Sequence, residues 1–248
     1  MKICRILLIS DIHGNWPALR ALAEQVEMSD YDYILNCGDS TVYAPFANEV
    51  LDWLRKYQAI SILGNTDGKV LRLLKGKDFK KPRKAEKRIM YTHTAASLSP
   101  RNSQYLLGLE KRTSLQVANQ RLGLFHGSPA KHTEFLFPTT PHERFRQLAK
   151  ESKVDIICTG HSHTAYHKIV AGTHFINPGS VGRMFDGSPT ASFALLELDQ
   201  RGLRVALQRC SYDIEQVVAR LKEEGLPDAY VAMYRQGRKL NWGKRRTH

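Results

Sequence analysis

Five short motifs set side chains of metal-ligand type beside glycine: Asp11-Ile12-His13-Gly14, Gly38-Asp39, Gly64-Asn65, His126-Gly127 and Gly160-His161-Ser162-His163. Aspartate, asparagine and histidine without thiolate form a mixed oxygen and nitrogen donor set. Such a set suits hard-to-borderline divalent cations such as Mn2+, Fe or Zn2+ better than a cysteine-type structural zinc. Asp11, His13, Asp39, Asn65, His126, His161 and His163 together are too many ligands for one ion. Two cations roughly 3.5–4 Å apart, sharing one carboxylate, would activate a hydroxide and stabilise both oxygens of an in-line displacement at phosphorus. Taken singly, each motif reads as well as a turn or cap, and His126 as a satisfied core histidine. The ordered set is what points to a metal centre.

Each motif closes an apolar run: Leu7-Leu8-Ile9, Ile34-Leu35, Ile60-Ser61-Ile62-Leu63, Leu122-Gly123-Leu124-Phe125 and Ile156-Ile157-Cys158. Runs of this length are consistent with fully buried strands, and ligands of such sheets gather outside the strand ends, so a single polar cluster is expected. Residues 16–26 and 46–57 carry Leu19, Leu22 and Val26, and Val50, Leu51 and Leu54, at helical spacing, with Pro17 in the first turn. Helices between successive short strands predict parallel, right-handed βαβ units. Ser99-Pro100 predicts a helix start, and residues 143–150 a further helix behind Pro138 and Pro141. From residue 167 the texture changes. Runs at 167–170, 173–176, 192–198 and 203–210, separated by Gly172, Gly179 and Gly202, predict antiparallel strands; an amphipathic helix over 212–222 ends at Gly225.

A chain of 248 residues without an internal repeat or linker is expected to form one α/β domain with a sizeable core. Its 42% hydrophobic and 25% charged residues exclude whole-chain disorder. Lys+Arg 37 against Asp+Glu 24 leaves +13, which favours anionic partners: a phosphate-ester small molecule, a nucleotide, nucleic acid or acidic lipid. Lysine and arginine are densest over residues 69–88, where only Asp78 and Glu86 oppose them. That stretch is expected as an exposed excursion over about 69–98, read first as a solvated face and second as a substrate or nucleic-acid contact. Over residues 69–88 Phe79 is the sole aromatic, which weakens a stacking platform for single strands. Residues 235–248 read as a basic tail. Cys4, Cys37, Cys158 and Cys210 form no CxxC pair, so a reducing, cytoplasmic setting is expected. The first apolar stretch is shorter than a signal h-region, and none is long enough to span a membrane, so no membrane partner is expected. Oligomeric state leaves no mark in the sequence.

Asn15 and Asp67 are candidates to orient ligands through hydrogen bonds, or ordinary turn residues. The glycines of Asn177-Pro178-Gly179-Ser180-Val181-Gly182 would let backbone and Ser180 approach the site. Arg183 follows them and either meets a phosphate or faces solvent.

With the motifs in this order, the chain resembles the calcineurin-like metallophosphoesterase superfamily, whose signature runs DxH, GD, GNH(D/E), H before G, and GHxH. It is most similar to the small prokaryotic phosphodiesterase branch, sometimes described as diadenosine tetraphosphatase-like. Tyr43-Ala44-Pro45, His126-Gly127-Ser128-Pro129, residues 177–182 and Ser192-Phe193-Ala194-Leu195-Leu196 extend the resemblance from Met1 to about Tyr234, the basic excursion excepted. The resemblance implies an α/β (α+β) fold: a four-layer αββα sandwich with two mixed β-sheets flanked by helices and the motifs on loops at one edge. It implies one metal on Asp11, His13, Asp39 and His163 and a second on Asp39, Asn65, His126 and His161, with Asp39 bridging. Mn2+ is the leading cofactor, with Fe, Zn2+ or Ni2+ as alternatives. A metal-bridging hydroxide would attack phosphodiesters or nucleotide phosphoanhydrides, with Asp39, Asn65 and His126 positioning it and the phosphate.

Thr66 departs from the pattern by replacing the superfamily's histidine. Threonine cannot donate a proton at neutral pH as imidazole can, so the change argues for good leaving groups, or for His93 or His132 in that role. Two other readings stand beside the enzyme. A binding or scaffold module of the same fold is opposed by the intact ligand set. A nuclease or nucleic-acid-binding protein is motivated by the +13 charge and the basic stretch.

Overall fold

In strand β1 (Cys4–Ile9) the side chains of Ile6 and Leu8 point to one face and those of Leu7 and Ile9 to the other, and all four are fully buried. A strand covered on both faces must be apolar throughout, which is why the run does not alternate. The structure, a computed structural model, describes residues 3–239. β1 pairs in parallel with β2 (Tyr33–Asn36), which pairs in parallel with the two-residue β3 (Ile60–Ser61). Its other edge pairs antiparallel with β9 (Ala191–Asp199), which carries β10 (Gly202–Cys210) outside it. The order is β10-β9-β1-β2-β3. A second sheet has β5 (Gln120–Phe125), β6 (Ile156–Cys158) and β8 (Thr173–Asn177) in parallel, flanked antiparallel by β4 (Arg112–Val117) and β7 (Tyr166–Val170). Its order is β4-β5-β6-β8-β7.

The two sheets pack face to face through Ile6, Leu8 and Leu35 against Leu124, Ile156 and Ile176. On the outer face of the first sheet, α1 (Trp16–Ala23), α2 (Ala47–Lys56) and α7 (Ile214–Glu223) bury Leu19, Leu22, Val50, Leu54, Val217 and Leu221 with Leu7 and Ile9. On the outer face of the second, α6 (His142–Ser152) sets Phe145 and Leu148 against Ile157 and Phe175. The result is the four-layer αββα sandwich. Each such side chain contributes ~1.5–3 kcal/mol on burial. Capping fixes the helix entries: Asn15 Oδ1 accepts from Ala18 N at 3.1 Å, and Asp213 Oδ1 accepts from Gln216 N at 3.1 Å.

The basic stretch, expected as an exposed excursion, leaves Arg72, Lys75, Lys77, Lys80, Lys81, Arg83 and Lys84 exposed and contains helices. Residues 65–74 form α3 (Asn65–Leu74) and residues 85–97 form α4 (Ala85–Ser97), joined by an irregular segment and followed by α5 (Pro100–Leu107). Val70, Phe79, Met90 and Tyr91 are buried, so the apolar residues scattered among the lysines anchor this face to the helical layer. The expected alternation of helix and strand is also broken by β4, which precedes β5 in a hairpin closed by Ala118 and Asn119. A helix α8 (Ala229–Gln236) stands where a tail is expected to begin; residues 240–248 of that tail lie outside the described residues. No helix among the described residues is long and apolar enough to cross a membrane.

Candidate metal centre

All five motifs lie just beyond the C-terminal ends of β1, β2, β3, β5 and β6, on the edge where the two sheets meet. Backbone bonds stitch them together: Asp11 N donates to Gly38 O (2.9 Å), His13 N to Asp39 O (2.8 Å) and Gly160 N to His126 O (2.9 Å). Asp11, His13, Asp39, His161 and His163 all have positive φ, from 52° to 65°. Non-glycine residues seldom adopt this region, and each instance costs roughly 1–3 kcal/mol. All five belong to the motifs gathered at this edge, where the backbone is shaped by the placement of side chains.

Two donor groups result. Asp11, His13 and His163 form one, and Asp39, His126 and His161 the other; within each, the ligand atoms all lie within 4.8 Å of one another. Asp39 stands between them, its Oδ2 at 3.4 Å from His126 Nε2 and 4.0 Å from His13 Nε2. Asn65 Oδ1 is 3.0 Å from His126 Nε2.

The fit to cations can be read from the imidazoles. His13 Nδ1 faces Val42 O and His163 Nδ1 faces Arg183 O, each at 2.5 Å. A carbonyl only accepts, so both Nδ1 atoms carry hydrogen and both Nε2 atoms offer lone pairs. Those two Nε2 atoms are 3.2 Å apart, with Asp11 Oδ1 at 3.3 Å from that of His163. Facing lone pairs and a carboxylate oxygen repel unless a positive charge lies among them. Asp11 Oδ1 and His161 Nε2 are buried without a hydrogen-bond partner, whereas Asp11 Oδ2 accepts from Ser10 Oγ at 2.6 Å and His161 N at 2.9 Å. Orphaned buried acceptors of this kind call for a partner, and a divalent cation suits the donor set.

Electrostatics follow from burial. Burial pushes His13 down to about 3 and His161 to about 4, the latter helped by repulsion from His126. Burial would depress His126 too, but the Asp39 carboxylate and its hydrogen bond raise it to about 9. Burial opposes ionisation of Asp39, yet His126, His13 and the Thr66 N–H hold its carboxyl well below the usual range.

The neighbouring candidates divide. Thr66 is buried beside Asp39 and lines the cavity over the two groups. His132 is half-buried with its ring 5.4 Å from that of His126, and burial followed by repulsion from His126 lowers its pKa. His93 is not brought to the site: it sits on α4 and pairs with Glu224 at 2.6 Å. Asn15 caps α1 and donates to Gly182 O at 3.0 Å, so its bonds serve the helix start and the 177–182 loop. Asp67 accepts from Ser40 N, Thr41 N, Thr41 Oγ1 and Gly64 N, and so clamps the loop after Asp39. Ser180 Oγ donates to Asp11 O at 2.7 Å. Arg183 enters the cavity, its guanidinium 3.9 Å above the Tyr43 ring.

Several contributors carry no mark that single-sequence reasoning could use. Phe135 stacks on His161 at 4.1 Å and Phe185 on His163 at 4.7 Å. Ser10, which donates to Asp11 Oδ2, differs in that a hydroxyl closing an apolar run is a signal the sequence offers. From the basic stretch, Lys69, Lys81 and Lys87 line the same cavity, of about 320 Å³.

Comparison with known proteins agrees with the fold. The model of the calcineurin-like phosphoesterase superfamily domain matches residues 4–201. An uncharacterized protein of Methanocaldococcus jannaschii is 27% identical over 241 residues, covering 90% of this chain and 94% of its own length. The crystal structure of a metallophosphoesterase from Sphaerobacter thermophilus is similar at a TM-score of 0.76 and 26% identity, covering 94% of this chain and 99% of that one. A hypothetical protein of Pyrococcus horikoshii OT3 shares the fold at a TM-score of 0.85 and 18% identity, covering 95% and 99%.

Proposed function

The chain belongs to the calcineurin-like phosphoesterase superfamily and is a metal-dependent phosphoesterase; from that premise we propose that it uses two divalent cations, Mn2+ foremost, to hydrolyse phosphodiesters or nucleotide phosphoanhydrides. One cation would be held by Asp11, His13, Asp39 and His163, the other by Asp39, Asn65, His126 and His161. The observation that carries this reading is the pair of donor groups, with Asp39 of the second lying 4.0 Å from His13 of the first and facing Nε2 lone pairs in the first. Bound cations supply Lewis-acid activation of water and neutralise charge on the phosphate.

The chain's own residues do the rest. Val42 O, Arg183 O and Cys37 O fix the His13, His163 and His126 rings through Nδ1, so no rotamer search accompanies metal binding. Phe135 and Phe185 stack on the His161 and His163 rings and help to hold their orientation. Thr66 has no proton to give at neutral pH, which favours leaving groups that depart as stable anions, such as phosphate or an aryloxide.

The test is turnover of bis-p-nitrophenyl phosphate and p-nitrophenyl phosphate with added Mn2+, with EDTA and Asp39→Asn as controls. Metal-dependent hydrolysis lost in Asp39→Asn is expected, together with a fall in bound metal per chain. Absence of turnover with several metals, despite two ions bound, would leave a binding module of the same fold.

A further inference from the structure

Several arginines on this protein have carboxylate partners: Arg88 with Asp78 at 2.7 Å, Arg144 with Glu134 at 2.8 Å, Arg209 with Asp186 at 2.7 Å and Arg235 with Glu215 at 2.6 Å. The cations in the cavity over the donor groups do not. Lys69, Lys81, Lys87, Arg183 and Lys239 all line it, and among the described residues none of them pairs with a carboxylate. Among the described residues Asp39 is the sole carboxylate in that lining.

These cations come from separate segments: α3, the irregular connection, α4, the loop after β8 and the chain beyond α8. Their convergence is therefore tertiary and costs like-charge repulsion. Lys87 registers it: burial, then Arg183, Lys239, Lys84 and Lys69, push its ammonium below its ordinary pKa. Arg183 is also held in place, its guanidinium over Tyr43 at 3.9 Å and Phe185 at 5.0 Å, with Nε on Met233 Sδ at 3.0 Å. That leaves its terminal N–H groups for a ligand in the cavity.

Resting on the phosphoesterase reading above, we propose that Lys81, Lys87 and Arg183 form a subsite for a second phosphate beside the scissile one, so that the preferred substrates are condensed phosphates. A phosphodiester brings one negative charge to this wall, and a pyrophosphate-containing chain brings several. Lys81, Lys87 and Arg183 line the same cavity as Asp39, His161 and His163, so a small polyanion can meet them and the donor groups together.

The binding arm needs no turnover. Calorimetric titration in EDTA compares methylenebisphosphonate with methylphosphonate, for wild type and for Lys81→Ala/Lys87→Ala. Wild type is expected to bind the bisphosphonate about tenfold or more tightly than the monophosphonate, and the double variant to lose that preference. In the kinetic arm, with excess Mn2+, the variant should lose roughly tenfold more kcat/KM on tripolyphosphate than on bis-p-nitrophenyl phosphate. Equal affinity of wild type for both phosphonates, or equal loss on both substrates, overturns the subsite even where the diester is hydrolysed. Steeply salt-dependent duplex binding that vanishes in the variant, without a bisphosphonate preference, overturns it as well. An intact preference without any hydrolysis counts against the catalytic reading alone.

Discussion

Asp39 Oδ1 accepts the backbone N–H of Thr66 at 2.7 Å, and this turns Oδ2 toward His126 and His13. The donor belongs to the first turn of α3, whose exposed N–H groups favour an anion. The side chain of Thr66 takes no part, since its Oγ1 is buried without a partner. Thr66→Ala should therefore keep the carboxylate in place and remove an unpaired hydroxyl, whose burial costs ~1–3 kcal/mol. Expected outcomes are an unchanged or higher Tm and turnover within about threefold of wild type. A marked drop in Tm by calorimetry would show that the hydroxyl is paired.

Asp67 carries the opposite expectation. It accepts from three backbone N–H groups and the Thr41 hydroxyl, all in the loops that hold Asp39. Asp67→Ala strands those donors at ~1–3 kcal/mol each before relaxation, and 1 kcal/mol corresponds to about 2–4 °C in a domain of this size. A Tm lower by roughly 5 °C or more is expected, with metal affinity down about 10–100-fold by titration. Unaltered metal affinity in a destabilised variant would assign Asp67 to stability alone.

Three imidazoles set the pH dependence of stability in EDTA. His13 and His161 fold with pKa values of about 3 and about 4, below the ordinary 6.5, so the unfolded chain binds protons first in acid and stability falls as pH drops below 6.5. His126, raised to about 9, acts in reverse: its contribution is full below 6.5 and is lost as pH rises toward 9. Tm should peak near pH 6.5 and decline on both sides. A cation on His126 Nε2 displaces the proton, so saturating Mn2+ should abolish the alkaline decline. Scanning calorimetry with and without metal reads this directly, and a flat alkaline limb in EDTA would refute it.

Two glycines predict opposite signs. A Cβ on Gly160 would meet Ser10 Oγ and Asp11 Oδ2, whereas one on Gly68, inside α3, finds only Leu63 Cδ2 at 4.0 Å. Gly68→Ala should raise Tm by about 2–4 °C through helix propensity, ~1 kcal/mol. Gly160→Ala should lower it and weaken metal binding, because Asp11 has nowhere to retreat in a buried site. Equal Tm changes in the two variants would contradict the packing around Asp11.

The strands that end in motifs were legible because burial on both faces demands unbroken apolar runs, and a carboxylate or imidazole ends such a run visibly. β4 was not, since it is an edge strand whose Thr113, Leu115 and Val117 alternate with exposed polar residues. α4 was hidden by charge: Met90 and Tyr91 anchor it, while lysines and arginines dominate its neighbourhood. The short α8, with Tyr230, Val231, Met233 and Tyr234 buried, was overshadowed by the basic residues behind it. Within the site, residue types and glycine spacing pointed to the cluster. Its lysine wall and its stacking aromatics, Phe135 and Phe185, arise from tertiary placement with no local pattern.

The pairing of β1 with β9 has a consequence for synthesis. The strand that presents Asp11 and His13 leaves the ribosome early, but its second neighbour spans Ala191–Asp199. Until then one edge of β1 offers unpaired backbone groups to any passing strand, the circumstance in which nascent chains aggregate. Premature termination before β9 would leave that edge of β1 without its antiparallel neighbour.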